Sequence, residues 1–381
     1  MAVRVQAAPS VLRWALRVSG TPIEQVPAKF RIREWLEGRR KPTVRQLQDF
    51  ASYTGVPFGY LLLENPPEWV LPVPDFREGF AVEQEIPSAG LLAVINQSLR
   101  RQAWYRDYAV DRGIPPVDIV GSAEAMSPAE TAASIRRLLN FEVSDRHGDW
   151  SDTRKGLLRG FEQLGGLAVA TSMVGNNTHR LLDPDEFRGF ALADDLAPLI
   201  FVNTNQTLNG QIFTITHELA HIWRGRSGIG NEDLRVTPQS DIERWCNAVA
   251  SEVLVPQAEL RERYESVRRL ELTDQLERLA QVYRCGTLVV LQALHRGVHT
   301  FEDFNAVYEA EVRRLNELQR DQASPGGDHY RNQPFRVGER LSRALIADTL
   351  EGRTSLAEAM ALMSMKSLST FDEYARRLGA A

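Results

Sequence analysis

His217, Glu218 and His221 form the pattern His-Glu-x-x-His inside the stretch Gln-Ile-Phe-Thr-Ile-Thr-His-Glu-Leu-Ala-His-Ile-Trp that runs from Gln211 to Trp223. Residues four apart on an α-helix lie one turn above each other on the same face, so both imidazoles can address one ion. Glu218, beside the first histidine, is placed to take a proton from a metal-bound water. Around them Ile212, Phe213, Ile215, Leu219, Ala220, Ile222 and Trp223 are apolar, which suits a helix buried on its other sides. The bland alternative is a core helix carrying two incidental histidines. Two buried imidazoles without partners are costly, and a chance match in a chain this long has odds of about one in a hundred. The metal reading prevails.

Such an ion needs a third protein ligand and one open position for water. No histidine follows His221 until His295, so a carboxylate is the better donor. The segment from Asp241 to Pro256 reads as a helix and offers Glu243 and Glu252. They lie nine residues apart, about 180° round a helix, so both cannot face one ion. Glu243 has Asn247 one turn on and Cys246 close to its face; Glu252 shares its side with Ala248 and Val249. The residues by themselves leave the choice open. Cys246 reads as a small core residue, and Asp194 and Asp195 as loop residues of a hairpin.

The elements around this pair of helices follow from periodicity and punctuation. Leu167–Ala170, Phe187–Ala193 and Leu199–Asn203 read as short strands, the last two joined through Pro198. Helices are expected over 87–113, from the capping box at Ser127-Pro128-Ala129-Glu130, over 153–164, and in three segments beyond Pro256. The fold class is α+β and predominantly helical, with a small sheet packed on the His-Glu-x-x-His helix and helical N-terminal and C-terminal domains. Residues 79–150 read as a helical connector, 151–300 as the metal domain and 301–381 as a helical tail.

The chain of 381 residues is too long for one ordinary core, and its 43% apolar and 25% charged residues are those of a soluble globular protein. No apolar run approaches a membrane span, and the first ten residues lack the apolar core of a signal peptide. Two cysteines, Cys246 and Cys285, make no disulfide framework, so a cytoplasmic location is expected. The net charge of −5 argues against nonspecific polyanion binding by the whole chain, yet residues 1–50 hold ten Lys/Arg against four Asp/Glu.

That basic head, residues 1–78, reads as several short helices: one capped by Ser10, a second from Thr21-Pro22, a third holding Ile32, Trp35 and Leu36, and a fourth with Val44, Leu47, Phe50 and Ala51. Trp35-Leu36-Glu37-Gly38, Lys41-Pro42-Thr43, Gln46-Leu47 and Pro57 resemble the second half of a lambda-repressor-like (XRE) helix-turn-helix module. The glycine-containing turn usual before a recognition helix is missing ahead of Arg31. The resemblance implies phosphate contacts by Arg31, Arg33, Arg39, Arg40 and Lys41, which would make DNA a partner; a solvated basic face is the ordinary alternative.

Phe213–His221, then Glu243-x-x-Cys246-Asn247 and Ala250-Ser251-Glu252-Val253-Leu254-Val255-Pro256, resemble the ImmA/IrrE metallopeptidases, closely over residues 187–256. By that resemblance the metal ligands are His217, His221 and Glu243, Glu218 is the general base, and Glu252 and Asn247 support the ligands. The implied cofactor is Zn²⁺, with Mn²⁺ an alternative for a two-histidine, one-carboxylate site. The implied function is an intracellular zinc endopeptidase that cleaves a regulatory protein, a repressor or an antitoxin, in a stress, toxin–antitoxin or mobile-element response. The competing reading is a DNA-binding regulator whose metal domain senses or docks partners without turnover. Tyr283 and His179 are the side chains considered for stabilising the oxyanion.

Overall fold

Prolines shape the beginning of the chain. In the computed structural model, which describes residues 3–68, 70–76, 87–178, 180–230, 238, 240–320 and 336–379, α1 spans Pro9–Val18. Its fixed φ sets Pro9 at the first helical position, so Ala8 is the N-cap and the expected Ser10 cap is corrected by two residues. Ser10 Oγ instead donates to the Glu64 carbonyl at 3.4 Å. The expected second helix from Thr21-Pro22 is also corrected. Pro27 offers no N–H and holds Val26 extended, so the chain makes two 3₁₀ turns, Ile23–Gln25 and Ala28–Phe30. After Arg31, at φ 50°, α2 is only Ile32–Leu36. The reciprocal Thr43/Gln46 capping box then opens α3, Val44–Thr54. Phe30, Trp35 and Phe50 pack edge to face within 6.2 Å of one another, and with Leu12, Leu16, Leu47 and Leu61 they form the core of the head.

By internal packing, the described residues fall into two groups: those of 1–72, 80–97 and 173–182, and those of 73–79, 98–172 and 183–381. Helix α4, Ala89–Asp111, contributes to both. In the larger group, α5 (Pro128–Leu138) opens on the expected Ser127/Glu130 capping box, and Asp149 caps α6 (Trp150–Gln163). Four strands follow the order β1-β3-β2-β4: β1 Leu167–Thr171, β2 Gly189–Leu192, β3 Leu199–Asn203 and β4 Gly228–Gly230. β1 runs parallel to β3; β2 lies antiparallel to both β3 and β4. The first three were legible from their β-branched and aromatic runs. The fourth is a Gly-Ile-Gly triplet with no such signal.

Alternation sorts the sheet's faces. Ala168, Ala170, Ala191, Ile200 and Val202 join the main core with α7 (Leu208–Arg224), whereas Phe187, Phe190 and Phe201 cluster together, the last two stacked at 4.7 Å. α7 lies against β2, β3, α6 and, most extensively, α8 (Asp241–Leu254). Every residue from Gln211 to Trp223 is buried. The chain leaves α7 through Gly225 at φ 69°, where a Cβ would also meet the Gly121 backbone at 3.0 Å. That turn delivers it directly into β4.

Buried arginines hold the layers around α8. α9 (Gln257–Val267), α10 (Leu272–Tyr283), α11 (Thr287–Gly297) and α12 (Phe304–Arg320) complete the helical side. The Arg146 guanidinium donates to the carbonyls of Val253, Leu254 and Tyr283 at 2.5–2.8 Å, tying the end of α8 to the end of α10, and to Phe141 at 3.2 Å. Burial pushes its pKa down to about 10, still well above neutrality. Replacing Arg146 by Ala leaves these carbonyls without their donor, and a loss of about 3 kcal/mol in urea unfolding is expected.

The tail forms α13 (Glu339–Leu350), α14 (Leu356–Leu362) and α15 (Leu368–Arg377). It is fixed by polar contacts: Arg101 Nε to Leu362 O at 2.9 Å, Arg112 to Asp348 at 3.0 Å, and Arg340 to the Tyr105 hydroxyl at 2.7 Å. Glu162 Oε1 accepts from the Arg340 N–H at 3.1 Å, and burial raises its carboxyl to about 7 despite that bond. The unfolded group titrates near 4.5, so the folded chain holds the extra proton between those values. Stability therefore falls as pH rises through this window. Glu162→Gln is expected to flatten the slope and to gain about 2 kcal/mol at pH 8 but nothing at pH 4, as read from melting curves across pH.

Candidate metal centre

Two helices and one strand build the site. The turn spacing of α7 brings the ring nitrogens of His217 and His221 to 3.2 Å apart, Nε2 to Nε2. Glu243, in the first turn of α8 where the helix dipole favours a carboxylate, places Oε2 at 3.1 Å from His217 Nε2 and Oε1 at 3.1 Å from His221 Nε2. All three side chains are at most 5% exposed, and their donor atoms lie within 4.8 Å of one another. Burial by itself would raise the Glu243 carboxyl; the two imidazoles outweigh that and hold it well below the usual carboxylate range.

This donor set fits a metal ion. Bonds of about 2.05 Å at a tetrahedral zinc set two ligands about 3.3 Å apart, close to the spacing found. The tautomer agrees. The Asn247 side-chain oxygen faces His217 Nδ1 at 2.9 Å, so Nδ1 carries the proton and the lone pair of Nε2 points at the Glu243 oxygen. Two lone pairs so close repel unless a cation lies between them.

Residues 162–295 match the family model of the IrrE N-terminal-like domain, Peptidase_M78. The segment is metallopeptidase-like, and the match supports the ImmA/IrrE resemblance read from the motifs. Residues 337–377, which hold α13 to α15, match the model of a domain of unknown function, DUF8813. No curated protein matches the chain.

Within the IrrE N-terminal-like segment, Glu218 is fully buried on α7. Gly189 of β2 makes room for it: a Cβ there would stand 2.7 Å from Glu218 Oε1 and 2.5 Å from Thr214 Cγ2. Asn247 stands one turn after Glu243 and grips His217, so the structure brings those two together. It does not bring Glu252 to them. The Glu252 carboxylate turns to the start of α9 and accepts the Gln257 N–H at 3.2 Å. Burial raises that carboxyl, against the pull of Gln257, Arg136 and Arg261.

Other candidates sit elsewhere. Tyr283 is wholly buried at the end of α10, whose main neighbours are α9 and α11, and its hydroxyl meets no described partner. His179 lies outside the described residues. Cys246 is core, as read from its neighbours, and burial pushes the Cys285 thiol up to about 12. In the head, Arg31 and Arg40 pair with Glu34 at 3.6 and 3.7 Å, Arg39 pairs with Glu37, and Arg33 and Lys41 are exposed. Between α1 and α3, the second and third helices expected there are the 3₁₀ turns Ile23–Gln25 and Ala28–Phe30 and the five residues of α2. Among the described residues, no helix is long and apolar enough to cross a membrane.

Three residues of the site escaped the sequence reading: Gly189, Gly228 and Phe76. The Phe76 ring stacks on that of His221, 6.3 Å between centroids and 14° between planes. Gly228 lies beneath it, where a Cβ would stand 2.5 Å from the Phe76 ring. Glycine inside a strand signals a close approach, and that signal was present at Gly189, within the strand read over 187–193, but not at Gly228, where no strand was legible. Nothing local marked Phe76.

Proposed function

We propose that His217, His221 and Glu243 hold Zn²⁺, with Mn²⁺ the second choice, and that the centre hydrolyses a peptide bond in a regulatory protein. The observation that carries this is the buried Glu218 carboxylate on the same helix as two imidazoles whose nitrogens, with a carboxylate oxygen of Glu243, converge within 4.8 Å. A purely structural ion has no use for such a neighbour. When bound, the ion supplies Lewis-acid polarisation of the scissile carbonyl and lowers the pKa of water. Glu218 takes the proton of the attacking water and returns it to the leaving amine. Gly189 keeps that carboxylate close to the sheet, and Asn247 holds His217 in the tautomer whose Nε2 lone pair can bind the ion. The choice of a repressor or an antitoxin as substrate draws on the likeness of residues 187–256 to ImmA/IrrE peptidases.

The test is new N-termini in a library of unstructured peptides incubated with the zinc-loaded full chain. They are expected to appear, and to vanish on chelation. A chain that holds one ion yet generates no termini at any concentration would sink the reading.

A further inference from the structure

The outer edge of β4 is occupied by the chain itself. Asp75 bridges Ile229 in parallel: Phe76 N–H donates to Ile229 O at 2.9 Å, and Ile229 N–H donates to Pro74 O at 3.1 Å. β4 begins three residues after Gly225 ends the metal helix, so this edge lies beside the donors. The Phe76 ring accordingly covers the ring of His221, on ground cleared by the missing side chain of Gly228.

We propose that the β4 edge beside His221 is a subsite for an extended peptide with an aromatic side chain, filled in the resting chain by Pro74–Phe76. Three features carry this. A strand edge offers main-chain groups to any extended segment, whatever its sequence. The glycine floor admits a flat ring where any Cβ would exclude it. The strap is a single short parallel bridge: main-chain bonds from Phe76 and to Pro74 join it to Ile229, and Pro74 contributes no N–H, so a competing strand can take its place. The aromatic residue is the specificity element, because its side chain is what meets the metal-ligating helix. That the bound peptide is then cut rests on the peptidase reading above; the binding itself does not.

Full-length wild type, Phe76→Ala and Gly228→Ala are compared, with thermal melts confirming folding. Two readouts are used: hydrogen exchange at the Ile229 amide, and binding of a fluorescent capped peptide Leu-Pro-Val-Pro-Asp-Phe. Phe76→Ala is expected to exchange at least ten-fold faster at Ile229 and to bind the peptide at least ten-fold tighter than wild type. A peptide ending in Ala instead of Phe should show no such gain. Gly228→Ala should speed exchange, because its methyl expels Phe76, yet bind the peptide no better, because the same methyl bars the incoming ring. Unchanged exchange in Phe76→Ala, or faster exchange without tighter binding of the Phe peptide, overturns the proposal. Cleavage is scored separately. Tighter binding with no cut in any protein overturns only the peptidase reading, and cutting by wild type with unchanged exchange in Phe76→Ala overturns only the strap.

Discussion

The Glu218→Gln variant is expected to keep its metal and to lose cleavage by about a thousand-fold or more. General acid–base catalysis by one positioned side chain is worth about 10²–10⁴-fold, and here one carboxylate serves both proton transfers. Glutamine has the same shape, so it fits the space left by Gly189 and disturbs neither His217 nor His221. It cannot accept the proton. Glu218→Asp is the informative companion: it keeps the base but withdraws it by one methylene, and a displacement of about 1 Å costs on the order of a hundred-fold. Metal content by plasma emission, read beside the rate of new N-termini, separates the two effects. A glutamine variant that cuts as fast as wild type would remove Glu218 from the chemistry altogether.

The parts of the site that sequence exposes are those fixed by helical periodicity. His217 to His221 and Glu243 to Asn247 are each one turn, so local spacing alone aligns them. The pairing of α7 with α8 is a tertiary event, and the residues left Glu243 and Glu252 as alternatives until the ImmA/IrrE likeness chose between them. The strand runs at 167, 187 and 199 showed because β-branched and aromatic residues mark them. β4 did not, because Gly228 is there for the ring that approaches it and neither it nor Gly230 carries strand propensity. The strap was hidden for a different reason: Asp75 and Ile229 pair across more than a hundred and fifty residues, and no pattern at either end reveals the other. In the head the failure was local. Pro22 read as the start of a second helix, yet Pro27 offers no N–H and stops it after one turn, and the backbone settles into 3₁₀ geometry.

Glu243→Ala and Glu252→Ala, two carboxylates on one helix, are expected to part company completely. Removing Glu243 takes away one of three donors and leaves two imidazoles 3.2 Å apart with no anionic ligand beside them. Apparent zinc-binding free energies of about 10–16 kcal/mol over four ligands put roughly 3–4 kcal/mol on each, so affinity should fall by about 10²–10³-fold. Glu252 faces the other way, where its carboxylate accepts the Gln257 N–H at the first turn of α9. Its loss should cost about 1 kcal/mol of stability, as for other helix caps, with metal affinity unchanged. Competition titration with a chromophoric chelator gives the first quantity and urea unfolding the second. Equal metal retention by both variants would place the third ligand outside α8. The reverse pattern would mean that α8 turns by about half a revolution when the ion binds, a rearrangement that the Arg146 bonds to Val253 and Leu254 oppose.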